Sequence, residues 1–200
     1  MSTMYRILLL IIGVITLSGC ITAPPDNIDN ACSIAKQYPK WYYDSLDSYK
    51  KWGVPISVQW AIIRKESSFI GDAKTPMDYV LGFIPIGRQS SAYGYAQALD
   101  GTWAHYQKET GRAWASRDDF ADAVDFIGWY GERAHRLADV SKSNTYALYL
   151  AYHDGIAGFI KKSYRNNQFL LNYARQTQKV AYNYAAQLRR CNIPSRSWWW

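Results

Sequence analysis

From Pro55 to Phe69 the chain reads PISVQWAIIRKESSF, and its apolar positions fall into rows three and four residues apart. Val58, Ile62 and Glu66 make one row, with Ile56, Trp60 and Ile63 in the rows beside it. The spacing predicts an amphipathic helix with Pro55 in its first turn, where a missing N–H costs nothing. Glu66 thereby continues a stripe that the pattern assigns to the interior. Burial and the C-terminal end of a helix both disfavour a carboxylate, so this carboxyl is expected to hold a proton near neutral pH and to act as a general acid. The other reading of the pattern turns Glu66 to water, or pairs it with Arg64 or Lys65.

Similar periodicity recurs along the chain. Cys32–Lys51 carries apolar and aromatic residues at helical spacing, divided at Pro39, and Gly53 and Pro55 mark the break that follows. Asp100 suits the N-cap of a helix through Glu109, with Gly111 at its stop. Ser116 followed by Asp119 resembles a capping box, which opens a long helix through about Ala138 with Phe120, Val124, Ile127 and Gly131 as its core stripe. Asn144–Tyr152 predicts a short helix, closely followed by Gly155 and Gly158, and Gln168–Arg190 a last one that ends at Cys191. Ile70–Ser90 has no helical period despite Val80, Leu81, Phe83, Ile84 and Ile86. It reads as a long apolar flap beside a cleft at Glu66, the alternative being a small hairpin that only caps the core. No strand-like alternation lasts more than a few residues, so the expected fold class is all-α. Trp198–Trp200 carry no helical pattern; packing on the domain, membrane contact and disorder are all open for them.

Composition narrows the picture. The 200 residues suit one domain, and 48% apolar with 20% charged residues is a globular balance. The load of 9 Trp and 17 Tyr suits a core and also a carbohydrate or peptide cleft. The formal net charge is +7, but the basic residues are scattered and no run resembles a nucleic-acid-binding arm, so no nucleic-acid partner is expected. Arg6, the apolar run Ile7–Leu17 and the small residues Ser18 and Gly19 form a secretory signal, too short for a comfortable membrane span. Its end, Leu17-Ser18-Gly19-Cys20, resembles the bacterial lipobox. That resemblance implies cleavage before Cys20, lipidation of its thiol, and a folded part held on a membrane. Ile21, rather than Asp, follows the cysteine, which by resemblance to sorted lipoproteins favours the periplasmic face of the outer membrane. The signal thus covers residues 1–19, and 20–31, polar with Pro24-Pro25, reads as a tether. Export to an oxidising compartment lets Cys32 and Cys191 pair and tie the first helix to the last. There is no CxxC, and His105, His135 and His153 show no ligand spacing, so neither metal nor cofactor is expected.

Three blocks then fall in order: Glu66-Ser67 at a helix end, Gly94-Tyr95-Ala96-Gln97 beyond the long loop, and Ala151-Tyr152-His153-Asp154-Gly155. In that order they resemble the motifs of the soluble-lytic-transglycosylase type of lysozyme-like domain: helix–ES, then GLMQ, then AYNxG. Longer stretches carry the likeness too: SSAYGYAQALDGTW, RDDFADAVDFIGWY and LYLAYHDG. The resemblance covers about Cys32 to Cys191 and implies a single lysozyme-like domain over 32–191, with a C-terminal tail over 192–200. It implies cleavage of the β-1,4 bond between N-acetylmuramic acid and N-acetylglucosamine in peptidoglycan, without water, leaving a 1,6-anhydromuramyl end. One carboxyl serves both proton transfers, whereas a retaining hydrolase needs a second acid about 5 Å away. Asp72, Asp78 and Asp154 are the nearest candidates by position and read as structural or substrate-facing.

By the same resemblance Glu66 is the acid and base, and Gln97 lines the cleft and contacts sugar. Ser67 orients the carboxylate or caps the helix end. Tyr152 reaches Glu66 or substrate through its hydroxyl, unless it is a core tyrosine. Tyr93 and Tyr95 stack on sugars or belong to the core. Peptidoglycan glycan strands are the expected partner of a monomer. Tyr95-Ala96 stand where the family commonly has Leu-Met, His153 stands for Asn, and the Ile70–Ser90 stretch is longer than in the generic pattern. The rival functions are a muramidase-type hydrolase and a non-catalytic cell-wall binding or assembly protein.

Overall fold

The computed structural model describes residues 22–81 and 83–196. The expected signal, the expected lipidation site Cys20 and the tryptophans Trp198–Trp200 lie outside the described residues. Seven α-helices account for most of the described residues: α1 Ala31–Gln37, α2 Pro39–Trp52, α3 Ile56–Ser67, α4 Asp100–Thr110, α5 Phe120–Ala138, α6 Thr145–Lys161 and α7 Gln168–Leu188. A short 3-10 turn, Ser163–Asn166, joins the last two. One antiparallel hairpin, β1 Met77–Val80 and β2 Ile84–Arg88, stands between α3 and α4. The all-α expectation holds for the domain. Among the described residues no helix is long and apolar enough to cross a membrane.

Helix α5 is the axis of the core. Every residue from Ala123 to Gly131 is buried, the pattern of a helix covered on all sides. It packs on α2 and α6, while α7 closes the other side by packing on both α3 and α6. Its start differs from the expected one. Asp119 is the N-cap, its carboxylate accepting from Asp122 N–H at 3.0 Å, so the helix opens at Phe120 and not just after Ser116. Ser116 N–H instead donates to the Asp122 carboxylate at 2.8 Å, which pins the incoming loop to the first turn.

Two further differences matter for the site. Helix α6 does not stop at Tyr152; it runs on to Lys161 through a break at Gly155, whose φ of 75° and ψ of 153° only glycine adopts freely. And Ile70–Ser90 is not an irregular flap: it contains the hairpin, paired from Met77↔Arg88 to Val80↔Ile84. Nor does that hairpin cap the core, because Leu81 and Phe83 are 77% and 72% exposed.

The first and last of the described residues are fastened to the domain. Cys32 and Cys191 form the expected disulfide, with Cα atoms 5.4 Å apart, tying α1 to the residues after α7. The segment read as a tether is docked. Tyr38 donates its hydroxyl to Ala23 O at 2.8 Å, Asp26 N–H reaches Gln37 Oε1 at 3.0 Å, and Pro25 is buried. Tyr184 donates to Ile28 O. In the tail, Tyr43 donates to Pro194 O at 3.0 Å, and Arg196 pairs with Asp47 at 2.7 Å.

Candidate active site

Glu66 lies in the last turn of α3, where the chain leaves the helix through two successive left-handed residues, Ser68 and Phe69. Phe69 is fully buried and packs with Trp41, Trp60 and Phe120, so the end of α3 is held from below by the core. The Glu66 side chain is half-buried as a whole, yet its Oε1 is closed to solvent and has no hydrogen-bond partner. Burial pushes the carboxyl from its ordinary 4.5 up to about 7, opposed by the hydroxyl of Tyr149 and by the charge of Lys65.

The ion-pair alternatives are taken up elsewhere. Arg64 pairs with Asp29, and Lys65 sits 3.2 Å over the ring of Tyr173 and 3.3 Å from Gln176 Oε1. A comparison within the molecule shows what is unusual about Glu66. Asp125 is also buried, but it accepts from Trp52 Nε1 at 2.9 Å, Tyr106 Oη at 2.7 Å and Lys51 Nζ at 3.1 Å. A carboxylate so fully partnered is a structural brace. Glu66 lacks such partners and keeps its proton within reach of neutral pH.

Opposite α3, the GYAQ turn is set by its glycine. Gly94 has φ 80°, and a Cβ there would lie 2.0 Å from Arg117 O, so no other residue fits without moving the backbone. Gly94 N–H donates to Ala73 O at 3.0 Å, and Tyr95 N–H to Arg117 O at 3.1 Å. Gln97, itself at φ 47°, gives both amide hydrogens to its own loop, to Ala73 O and Gly94 O at 2.9 Å each. Gln97 also lines a groove of about 250 Å³ with Thr102, Tyr152, His153, Asp154 and the Gly155 break. The turn and the broken helix therefore form the two walls of one open groove.

The remaining sequence-predicted residues divide by placement. Tyr152 donates its hydroxyl to Ala96 O, bracing α6 against the GYAQ turn, while its ring packs on Tyr130 at 5.0 Å. It is close enough for the charge of Glu66 to disfavour its ionisation, but its hydrogen bond goes to the turn. Ser67 is buried and donates back to Ile63 O at 3.2 Å, an internal helix bond rather than a contact to the carboxyl. Tyr93 is half-buried, its hydroxyl held by Asp118 Oδ2 at 2.9 Å and its ring approached by Lys74 and Arg117. Tyr95 belongs to the core alone: 2% exposed, it packs edge-on to Trp41 and Phe120 and has no face for a sugar.

Among the described residues no second carboxylate acts on Glu66. Asp78 accepts from Gln89 at 3.1 Å within the hairpin, Asp154 accepts from Ser163, and Asp72 acts on Tyr93. Among the described residues no three His, Cys, Asp or Glu side chains gather where a metal ion could sit. The residue that sequence reasoning passed over is Tyr149. It is buried on α6, its hydroxyl acts on Glu66, and the neighbouring carboxylate and burial push its own ionisation far above the ordinary range. The available signal was its place three residues before Tyr152, on the same helix face.

An all-helical core, an acid at the end of its buried third helix and a groove walled by a glycine-set turn and a glycine-broken helix define a lysozyme-like domain. The match extends through nearly the whole chain. Residues 8–191 fit the sequence model of the transglycosylase SLT domain, and the protein belongs to that family. No curated protein matches it. The family implies peptidoglycan as the polymer bound.

Proposed function

We propose that this protein is a peptidoglycan lytic transglycosylase that cuts the β-1,4 bond between N-acetylmuramic acid and N-acetylglucosamine and closes a 1,6-anhydro ring. Glu66 acts twice. Its carboxyl first gives a proton to the glycosidic oxygen as the C1–O bond breaks, releasing the N-acetylglucosamine with a free 4-hydroxyl. The resulting carboxylate then takes the proton of the muramyl C6 hydroxyl as that oxygen bonds to C1, which restores the acid. The observation that carries this reading is the Glu66 carboxyl, whose Oε1 is closed to solvent and without a hydrogen-bond partner and whose pKa is pushed up to about 7, protonated often enough to donate and ionised often enough to accept. The absence of a second carboxylate acting on Glu66, among the described residues, supports ring closure over a retaining hydrolysis. Tyr149 positions the carboxyl, Tyr152 braces α6 on the GYAQ turn, and Gln97 shapes the groove floor.

In the same reading the chain is exported, lipidated on Cys20 and held as a monomer at the periplasmic face of the outer membrane. The test of the chemistry is digestion of purified sacculi followed by mass spectrometry of the fragments. Anhydromuramyl products from the wild type and none from Glu66→Gln are expected. Reducing-end muramic acid would make the protein a hydrolase. Sacculus binding with no fragments released would make it a binding protein.

A further inference from the structure

The hairpin leaves Leu81 at 77%, Phe83 at 72% and Ile86 at 64% exposed, with Val80 beside them. The stretch Val80–Ile86, VLGFIPI, holds no charged or hydrogen-bonding side chain. Large apolar side chains gathered at one projecting tip mark a contact with something apolar. A glycan strand is a poor fit, since an aliphatic tip offers its hydroxyls no hydrogen-bond partners.

Where the N-terminal segment joins the domain decides among the other occupants. Residues 23–31 are fixed to the domain, so the point at which the chain leaves it is fixed as well. The first of the described residues is Thr22, whose side chain meets the hydroxyl of Tyr95. The same hydroxyl lies against Gly71, 3.0 Å from where a Cβ would stand. Gly71 opens the stalk of the hairpin, and Ala73 and Lys74 of that stalk pair with Gly94 and Tyr93. The base of the hairpin and the exit of the N-terminal segment are therefore one corner of the molecule. Cys20, the residue lipidated in the proposed reading, is two residues before Thr22, a reach of at most about 7 Å. The hairpin rises from that corner by up to about 20 Å, counting six residues from Thr75 to Leu81 at strand spacing.

We infer that the hairpin tip, Val80–Ile86, is a second membrane contact, lodging Leu81 and Phe83 in the surface of the bilayer that holds the N-terminus. This rests on the reading that the N-terminus is held on a membrane. One acyl-type anchor by itself leaves a domain free to swivel, and stable attachment commonly takes two signals. Two contacts at one corner fix how the groove faces relative to the bilayer, and so which glycan strands reach Glu66. The formal charge of +7 favours a bilayer with anionic headgroups.

The test uses the full-length protein on vesicles of phosphatidylethanolamine and phosphatidylglycerol. Leu81→Cys carries an environment-sensitive fluorophore; Cys32 and Cys191 are paired, and wild-type protein labelled in parallel reports any signal from Cys20. Protein that floats with the vesicles should show blue-shifted emission, quenched by lipids carrying a nitroxide on the acyl chain. The double variant Leu81→Asp with Phe83→Asp should lose vesicle attachment several-fold while keeping its thermal unfolding curve, since both side chains face solvent. Floating protein with water-like emission overturns the hairpin contact and leaves the anchor standing. Protein that does not float overturns the anchor and this inference with it. A shift brought about by sacculi, or by raising the protein concentration without vesicles, assigns the tip to glycan or to a second copy and overturns it too.

Discussion

Replacing Glu66 by Gln should stabilise the protein at alkaline pH while removing its activity. The native carboxyl sits at about 7 against an ordinary 4.5, because burial penalises the charged form. The unfolded chain therefore releases this proton at lower pH than the native one, and native stability falls as pH rises from about 4.5 through 7. Above that window the whole penalty applies, about 3 kcal/mol from the size of the shift at 1.36 kcal/mol per pH unit. Gln fills nearly the same space and carries no charge at any pH. The variant should match the wild type near pH 4 and exceed it by about 3 kcal/mol at pH 9, roughly 6–12 °C in Tm for a domain of this size. Thermal unfolding of both proteins by circular dichroism, non-reducing, at half-unit steps from pH 4 to 9 reads the difference directly. Every other titrating group cancels between the two proteins. A difference in Tm that does not change with pH, or a variant less stable than the wild type at pH 9, would refute the claim that burial raises the Glu66 pKa.

Three further outcomes follow from the same contacts. Tyr149→Phe removes the hydroxyl that holds the Glu66 pKa down, so the alkaline limb of the pH–activity curve should move to higher pH, whereas Tyr152→Phe should leave that limb in place; pH profiles of sacculus digestion read both. Cys32→Ser with Cys191→Ser opens a closure of 159 residues and should cost about 2–5 kcal/mol, read as the shift in denaturant midpoint against the oxidised protein. Gly94→Ala should cost about 3 kcal/mol or more, because it combines left-handed backbone with a clash on Arg117 O. It should lower activity further than stability explains, since the same turn carries Gln97, and activity measured well below the variant's Tm separates the two effects.

The helices were legible because each advertises itself locally. Helical spacing and end signals together gave α2, α3, α4, α5 and α7 to within a few residues, and the apolar row through Val58 and Ile62 placed Glu66 facing inward. Asp119 against Ser116 at the start of α5 was a competition between two good caps. It was settled by Asp122, which ties the Ser116 amide to the first turn. Helix α6 was cut short on paper because Gly155 and Gly158 read as a stop. A glycine can also break a helix and let it resume, and neighbouring packing makes that choice.

The sequence by itself determined the helical class, the order of the three motif blocks, the cysteine pair and an acid on the inward row of α3. Only the tertiary structure decided that Tyr95 belongs to the core, because Trp41 and Phe120 reach it from distant parts of the chain. It alone brought Tyr149 rather than Ser67 to the carboxyl, fastened residues 23–31 to the domain, and lifted an apolar hairpin into solvent beside the point where the N-terminal segment leaves. Periodicity records which face of a helix is buried, because that depends on neighbours one turn away. It is silent on which buried polar groups find partners, because those partners arrive from other helices, as Tyr149 of α6 does at Glu66 while Oε1 is left without one.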